Sequence, residues 1–474
     1  MVFDLNRRDL LKVAGAVIVS GLPVPQVLVQ AQRPKKVIVA GGGIGGLCCA
    51  YELTKRGHNV VVLEASGRAG GHVRTIHDPL ADGLYADVGA EHITRPGYDL
   101  YWQYVEEFRL TALAYPRRDH LVRRIRGRMY TEEMLANRGV LNQLGLNQRE
   151  VEYLARHPWW DLPNFYFRPY LESFEDEYRP FVAKLDRLDQ MPLAELLKQD
   201  GASDAAIEFI GSSQASALHV IWHAAILKFR GVPLWPPNVF RIKGGNQVMT
   251  DTFAAKLGGR VWLGCPVTGI EHGGAGVTVR YLEAGQEKRA EADYLVCAMS
   301  AVMLRKIPVT PDWPEDKGYA IRTIPYYTMA RVMFQSRTRF WEKDGGRPNL
   351  DFGEEKLHDV WRMAEEVETP RGLLVGSAAP LTTPGEALET FRKVYPGRSE
   401  DVEQALVHDW SRDPWAVACE TVHYAPGRLV KIWPRIMEPH GRIHFVGAYA
   451  DNLNWGMEAA TRSANRVARS IDAA

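Results

Sequence analysis

Cysteine is scarce in this chain. Five residues, Cys48, Cys49, Cys265, Cys297 and Cys419, lie scattered through 474 positions, odd in number and without metal-ligand spacing, which argues against a disulfide framework and against a zinc site. An excess of one charge is missing too. With 58 basic and 57 acidic residues the net charge is +1, so neither nucleic acid nor an acidic surface is indicated as a partner. The apolar run near the start, Val13 to Leu22, is too short to span a bilayer as a stable helix. What is abundant is core material: 46% hydrophobic and 10% aromatic residues, at a length that should divide into two or three domains.

The amino terminus reads as an address and not as fold. Asn6-Arg7-Arg8-Asp9-Leu10-Leu11-Lys12 places paired arginines before the short apolar run and is similar to a twin-arginine export signal. Residues 1–31 are therefore set apart, with Val29-Gln30-Ala31 as the cleavage region and a basic amphipathic start to the first domain as the alternative. An exported chain, periplasmic or extracellular, follows from the first reading.

From Lys36 the pattern changes. Lys36 to Ala40 is a β-branched apolar run that enters Gly41, Gly43 and Gly46, spaced G-x-G-x-x-G, with Ile44 and Gly45 at the helix start. Gly41 serves the turn, Gly43 lets backbone approach a pyrophosphate, and Gly46 lets the helix pack on the strand. Val60 to Leu63 reads as a second strand ending in Glu64, where a carboxylate can hold both hydroxyls of an adenosine ribose. Strand, turn, helix, strand and acid in this order predict a dinucleotide site.

The following residues narrow the dinucleotide. Glu64-Ala65-Ser66-Gly67-Arg68-Ala69-Gly70-Gly71-His72 resembles the second fingerprint of the flavin amine oxidase family, E-A-x-x-R-x-G-G-R, which implies FAD. In that family Arg68, Gly70 and Gly71 would lie along the diphosphate and ribityl chain. His72 replaces the usual arginine, so charge there would be absent or pH-dependent. Tyr85-Ala86-Asp87-Val88-Gly89-Ala90 resembles the segment beside the isoalloxazine ring, which puts Gly89, Ala90 and Glu91 along the flavin. Val267 is expected on the adenine, and Trp410, in Trp410-Ser411-Arg412-Asp413-Pro414, near the ring.

The carboxyl end resembles the family's R-I-x-F-A-G-E and G-W/Y-M-E-G-A signatures: Arg442-Ile443-His444-Phe445-Val446-Gly447-Ala448, then Trp455-Gly456-Met457-Glu458 and a helix to Ile471. Gly447, Ala448, Trp455, Gly456 and Met457 are thus expected on the cofactor, the helix start facing the flavin pyrimidine. Ala448 stands for an acid, and tryptophan and glycine are exchanged in order at Trp455-Gly456.

Substrate residues follow from position. His92 falls where L-amino acid oxidases of the family place an arginine on the substrate carboxylate, and Arg95 lies three residues on; one of the two is expected to bind it, Arg95 with the better bidentate geometry. Trp222 and His223, in an aromatic helical stretch, are candidates for the cavity wall, with plain core as the alternative. Glu420 could hold a substrate ammonium or cap a strand, Trp455 would form part of an aromatic wall, and Cys419 has the spacing of covalent flavin attachment in some relatives. Arg331 occupies the place of a family lysine held through water near flavin N5; arginine keeps the charge but cannot act as a neutral amine.

The expected fold is α/β: an FAD-binding Rossmann-like domain of the GR2 type, assembled from 33–97, 237–300 and 426–474, with a helical insertion over 98–236 and a mixed α+β substrate domain over 301–425. The resemblance implies oxidation of a C–H next to nitrogen. An L-amino acid oxidase taking large hydrophobic or aromatic side chains is the first expectation, and an exported amine or polyamine oxidase or dehydrogenase the second. A desaturase or porphyrinogen oxidase and a non-catalytic flavin-bound factor are more distant alternatives. The partners implied are a small amino acid or amine and O2 or another electron acceptor, with no metal, and a homodimer left open.

Overall fold

The computed structural model describes residues 33–115, 121–235, 238–344, 349–453 and 456–474. The twin-arginine segment and Trp455 lie outside the described residues.

Short apolar runs from distant parts of the chain build one parallel sheet. Its order is Val261–Trp262, Asn59–Leu63, Lys36–Ala40, Tyr294–Cys297 and Ile443–Phe445, with every neighbouring pair parallel. Val37 to Ala40, in the middle strand, are all 2% exposed or less. A parallel sheet must be covered on both faces, which is why these strands read as continuous apolar runs. The neighbour on one side of Lys36–Ala40 comes next in the chain and the neighbour on the other side much later. Connections therefore leave that strand in opposite directions, and a crevice opens beyond its carboxyl end.

Gly41 and Gly46 make the turn there possible. Gly41 has φ +114°, a conformation that side chains avoid, and a Cβ on Gly46 would run into the Gly41 carbonyl oxygen. The helix Ile44–Lys55 that follows shares one core with the carboxyl-terminal helix Gly456–Ala473, through Leu47, Ala50 and Leu53 against Ala464, Val467 and Ala468.

A second sheet faces the crevice. Its seven strands run in the order Val402–Asp409, Ala330–Ser336, Gly372–Ala378, Leu357–Met363, Leu350–Glu354, Val122–Ile125 and Arg128–Tyr130. Pairing is antiparallel throughout except between Leu350–Glu354 and Val122–Ile125. Ala330–Ser336 and Gly372–Ala378 are buried along their whole length.

Helices extend from Asp99–Glu107 to Ala217–Phe229, and Ser203 caps Asp204–Ile210 by accepting the Ala206 N–H at 3.0 Å. The helical reading of this stretch is incomplete, because Val122–Ile125 and Arg128–Tyr130 form a hairpin on the edge of the second sheet. Arg126 and Gly127, at φ 49° and 83°, make its tight turn. In Val122-Arg123-Arg124-Ile125 the polar residues are adjacent, so no period of two announces the strand. Among the described residues no helix is long and apolar enough to cross a membrane.

The core also takes up histidine. Burial pushes His72, His408, His423 and His444 down to about 4 and His223 to about 3. These rings stay neutral in the folded chain while an unfolded histidine takes up a proton below about 6.5. Between that value and about 4 the unfolded chain binds more protons, so stability is lost as pH falls through this window. Buried Asp451 and Glu458, pushed up to about 7 and about 8, take up protons in the folded chain and offset part of this loss, so thermal unfolding followed from pH 7.5 to pH 5 should show the midpoint falling by about 5 °C; a flat midpoint with no proton uptake on unfolding would contradict this.

Candidate active site

Two cavities lie end to end along the crevice. One, of about 490 Å³, is bordered by the glycine turn, Glu64 to Ser66 and Val267; the other, of about 430 Å³, runs on to Trp410 and Arg331. They share Gly43, His72, Ala298, Met299, Ser300 and Ala418, so the two form one elongated slot.

The first cavity has the chemistry of a dinucleotide cradle. Glu64, at the end of its strand, accepts the Gly42 N–H on Oε2 at 2.6 Å and the Ser66 N–H and Oγ–H on Oε1 at 2.7 Å. Carboxylate oxygens accept more than one bond, so both can still meet vicinal hydroxyls. Gly41, Glu64, Ala65, Arg68, Gly71 and Val267 all border this cavity. Arg68 donates to the Gly71 carbonyl at 2.5 Å, which pins the glycine pair against the turn.

Gly43 provides the test of fit. A Cβ there would meet nothing within 4 Å, so the space against its backbone is open to both cavities. Among the described residues no side chain caps the helix that starts at Ile44, and its first turn carries no acid. Its unpaired N–H groups therefore suit a diphosphate, and the residues present fit FAD. Gly46 borders neither cavity; its place is the contact between helix and strand.

In the second cavity Ile44, Gly45, Gly447, Ala448, Gly456 and Met457 border the inner end, where the helix Gly456–Ala473 begins. Gly70, Gly89, Ala90 and Glu91 lie along its side. Trp410 donates its Nε1–H to the Val88 carbonyl at 2.8 Å, and its ring lies 3.8 Å from that of His72. His72 in turn bonds the Ala416 carbonyl through Nε2 at 2.7 Å. Held down at about 4 by burial, His72 is neutral at ordinary pH, so the pH-dependent charge envisaged for it falls outside the working range.

Three ionisable side chains of interest meet at the outer end. His92 Nδ1 lies 3.1 Å from Glu91 Oε1, and Arg331 Nη2 lies 4.0 Å from Glu91 Oε2. Arg331 is 9% exposed, sits 5.2 Å over the Trp361 ring, and has no hydrogen-bond partner for Nε among the described residues.

Other expectations are corrected. Arg95 borders neither cavity; its side chain is 60% exposed, stacks 4.9 Å from the Trp102 ring and lies 3.8 Å from Glu106. An Arg95→Ala chain should retain kcat/KM within about twofold, as surface charge changes do; a tenfold loss in steady-state assays would return Arg95 to the site. Trp222 is core: 2% exposed, it donates to the Glu177 carbonyl at 3.0 Å and packs 5.0 Å from Trp433. His223 also borders neither cavity and lies 3.3 Å from His423. Glu420 is described by its backbone alone, which pairs with Tyr327 in a two-residue ladder, and the expectation for its side chain lies outside what the structure describes.

The structure adds residues that the sequence did not single out. Tyr326, Tyr327, Ser377 and Asp359 line the second cavity, as do Met299 and Ser300. The last two follow the buried strand Tyr294–Cys297 at its carboxyl end, a position that marks ligand sites in open parallel sheets. Asp359 and Ser377 carry no local signal, since it is the pairing of Ser377 with Arg331, 46 residues earlier in the chain, that brings them to the cavity. Among the described residues no group of three or more His, Cys, Asp or Glu is placed to hold a metal.

Comparison with known proteins gives a consistent picture. Residues 44–472 match the family described as flavin containing amine oxidoreductase. The chain is 23% identical to an L-amino-acid oxidase of Demansia vestigiata over 474 residues, covering 94% of this chain and 88% of that one. It is likewise 23% identical to an L-amino-acid oxidase of Vipera ammodytes ammodytes, covering 94% of each. Among solved structures, cyclohexylamine oxidase from Brevibacterium oxydans IH-35A superposes with a TM-score of 0.74 at 19% identity, over 93% of this chain and 99% of the other. Wild-type putrescine oxidase bound to putrescine gives 0.75 at 20% identity, over 93% and 100%.

Proposed function

Since the chain belongs to the flavin-containing amine oxidoreductases and uses FAD, we propose that it oxidises L-amino acids, giving an imine that water hydrolyses to a 2-oxo acid and ammonia, with O2 reduced to H2O2. The bound FAD supplies the acceptor for the hydride equivalent at N5. The observation that carries the reading is Arg331: a guanidinium nine-tenths buried in the wall of the flavin-end cavity, with one N–H unsatisfied among the described residues. A buried donor left unpaired costs stability, and a substrate carboxylate would satisfy it with the planar, two-pronged geometry that arginine favours.

The neighbouring residues complete the task. Glu91 Oε1 stands where it can accept a hydrogen bond from His92 Nδ1–H, the tautomer in which the other ring nitrogen is the basic one, suited to a proton from a substrate ammonium. Trp410, buried and fixed by its bond to Val88, and Tyr326 help to keep water from the reacting carbon. The expectation of aromatic side chains rested on the helical stretch holding Trp222 and His223, and that support is gone, since neither borders the cavity.

The second reading is an oxidase of simple amines. The carboxylates of Glu91 and Asp359 in the cavity favour it, and the solved structures of like fold act on such amines by name. Anaerobic bleaching of the yellow protein separates the two. Reduction by L-phenylalanine or L-lysine, with tyramine and spermidine inert, is the expected result; the opposite pattern would discard the carboxylate reading. Admitting air afterwards tests O2 as acceptor, because Arg331 cannot serve as the neutral amine of a lysine. Export of the mature chain through the twin-arginine segment belongs to the same proposal, supported by Arg7-Arg8 and the apolar run after them. Replacing both arginines by lysine should leave the enzyme in the cytoplasmic fraction.

A further inference from the structure

Two helix starts meet at the inner end of the flavin-end cavity and hold one another. Tyr98 immediately precedes the helix Asp99–Glu107, and Gly456 opens the helix Gly456–Ala473. Tyr98 is 3% exposed and borders the cavity together with Gly456 and Met457. Its hydroxyl oxygen lies 2.7 Å from the point that a Cβ on Gly456 would occupy, and its ring carbon Cζ 3.9 Å from the same point. From the other side Glu458, in the first turn of the second helix, accepts the Leu100 N–H on Oε1 at 3.2 Å and the Tyr101 N–H on Oε2 at 2.9 Å, and so caps the first helix. Arg230 joins the two, with Nη2 2.9 Å from Asp99 Oδ2 and 3.4 Å from Glu458 Oε1.

This contact accounts for the exchanged order at Trp455-Gly456. The signature G-W/Y-M-E-G-A has an aromatic residue directly before the methionine, where this chain has glycine. Gly456 has φ +47°, a conformation that side chains rarely adopt, and the hydroxyl of Tyr98 already fills the place of its Cβ. An aromatic ring thus reaches this end of the cavity from a remote part of the chain, and the glycine is what lets it approach.

We propose that Tyr98 is a positioning residue for the flavin: its hydroxyl, set against Gly456, fixes where the first turn of the carboxyl-terminal helix stands at the ring end of the slot. The positive end of a helix favours negative charge on the group before it, so the place of this turn bears on how readily bound FAD is reduced. The inference is independent of the substrate and holds for an oxidase of L-amino acids or of simple amines.

The test compares the unaltered chain, Gly456→Ala, and Gly456→Ala combined with Tyr98→Phe, by FAD titration and by the ratio of reduced to oxidised flavin at a fixed potential set with a reference dye. Gly456→Ala drives a methyl group onto the Tyr98 hydroxyl. It should weaken FAD binding by about thirtyfold, on the scale of an overpacked site, and lower the reduced-to-oxidised ratio by about fivefold. Adding Tyr98→Phe removes the oxygen and leaves the ring carbon at ordinary contact distance from the new methyl group. The double variant should recover the ratio and all but about fivefold of the affinity, the remainder being the strain of alanine at positive φ. A contact that served stability alone would lower the melting temperature of Gly456→Ala without moving the ratio. A ratio equal in all three chains, or a double variant no better than Gly456→Ala, would overturn the assignment.

Discussion

Gly43→Ala is expected to give a folded chain that has lost its colour, with FAD affinity reduced by about a hundredfold. The added Cβ meets no protein atom within 4 Å, and the Gly43 backbone at φ −70° and ψ 174° is open to any L-residue, so the fold has no reason to change. The methyl group instead stands where backbone must approach the diphosphate. Gly46→Ala should do the reverse. Its Cβ would strike the Gly41 carbonyl, forcing helix and strand apart, at a cost of about 3 kcal/mol or more as for other overpacked sites. Flavin titration and thermal melts of the two chains test the contrast. A yellow Gly43→Ala chain with unaltered affinity would remove the cradle from the glycine turn.

Arg331→Met should lower kcat/KM for L-amino acids by about a thousandfold, with most of the loss in KM. Methionine fills much of the same volume beside Trp361 but offers nothing to a carboxylate, and truncating one partner of a buried charged pair costs about 2–5 kcal/mol. Arg331→Lys should recover only part of this, because an ammonium lacks the two-pronged geometry. The decisive comparison is between L-phenylalanine and phenethylamine, which differ by the carboxylate alone. If Arg331→Met lowers both to the same degree, the guanidinium is not the carboxylate site and the simple-amine reading gains.

These two positions also mark how far the chain could be read unaided. Gly43 belongs to a continuous stretch in which strand, turn, helix and acid follow one another, and the contacts that matter join residues close in sequence or adjacent in the sheet. Spacing alone therefore conveyed the cofactor end of the site. Arg331 was noticed for its place in a motif, but its partners were not, because Ser377 and Asp359 come from other strands and meet it only through register. Trp222 and Arg95 failed for a related reason. An aromatic residue in a helix follows the same apolar spacing whether it faces a core or a cavity, and Arg95 is drawn onto Trp102 and toward Glu106.

The amino-acid order by itself determined the dinucleotide turn, the ribose acid, the buried parallel strands and the membership of a flavin family, because each depends on local spacing and on runs of apolar side chains. Only the tertiary structure decided which charged groups face the ring end of the slot. That choice depends on strand pairing between residues far apart in the chain, and on burial, which neutralises His72 and leaves Arg331 and Asp359 on one wall.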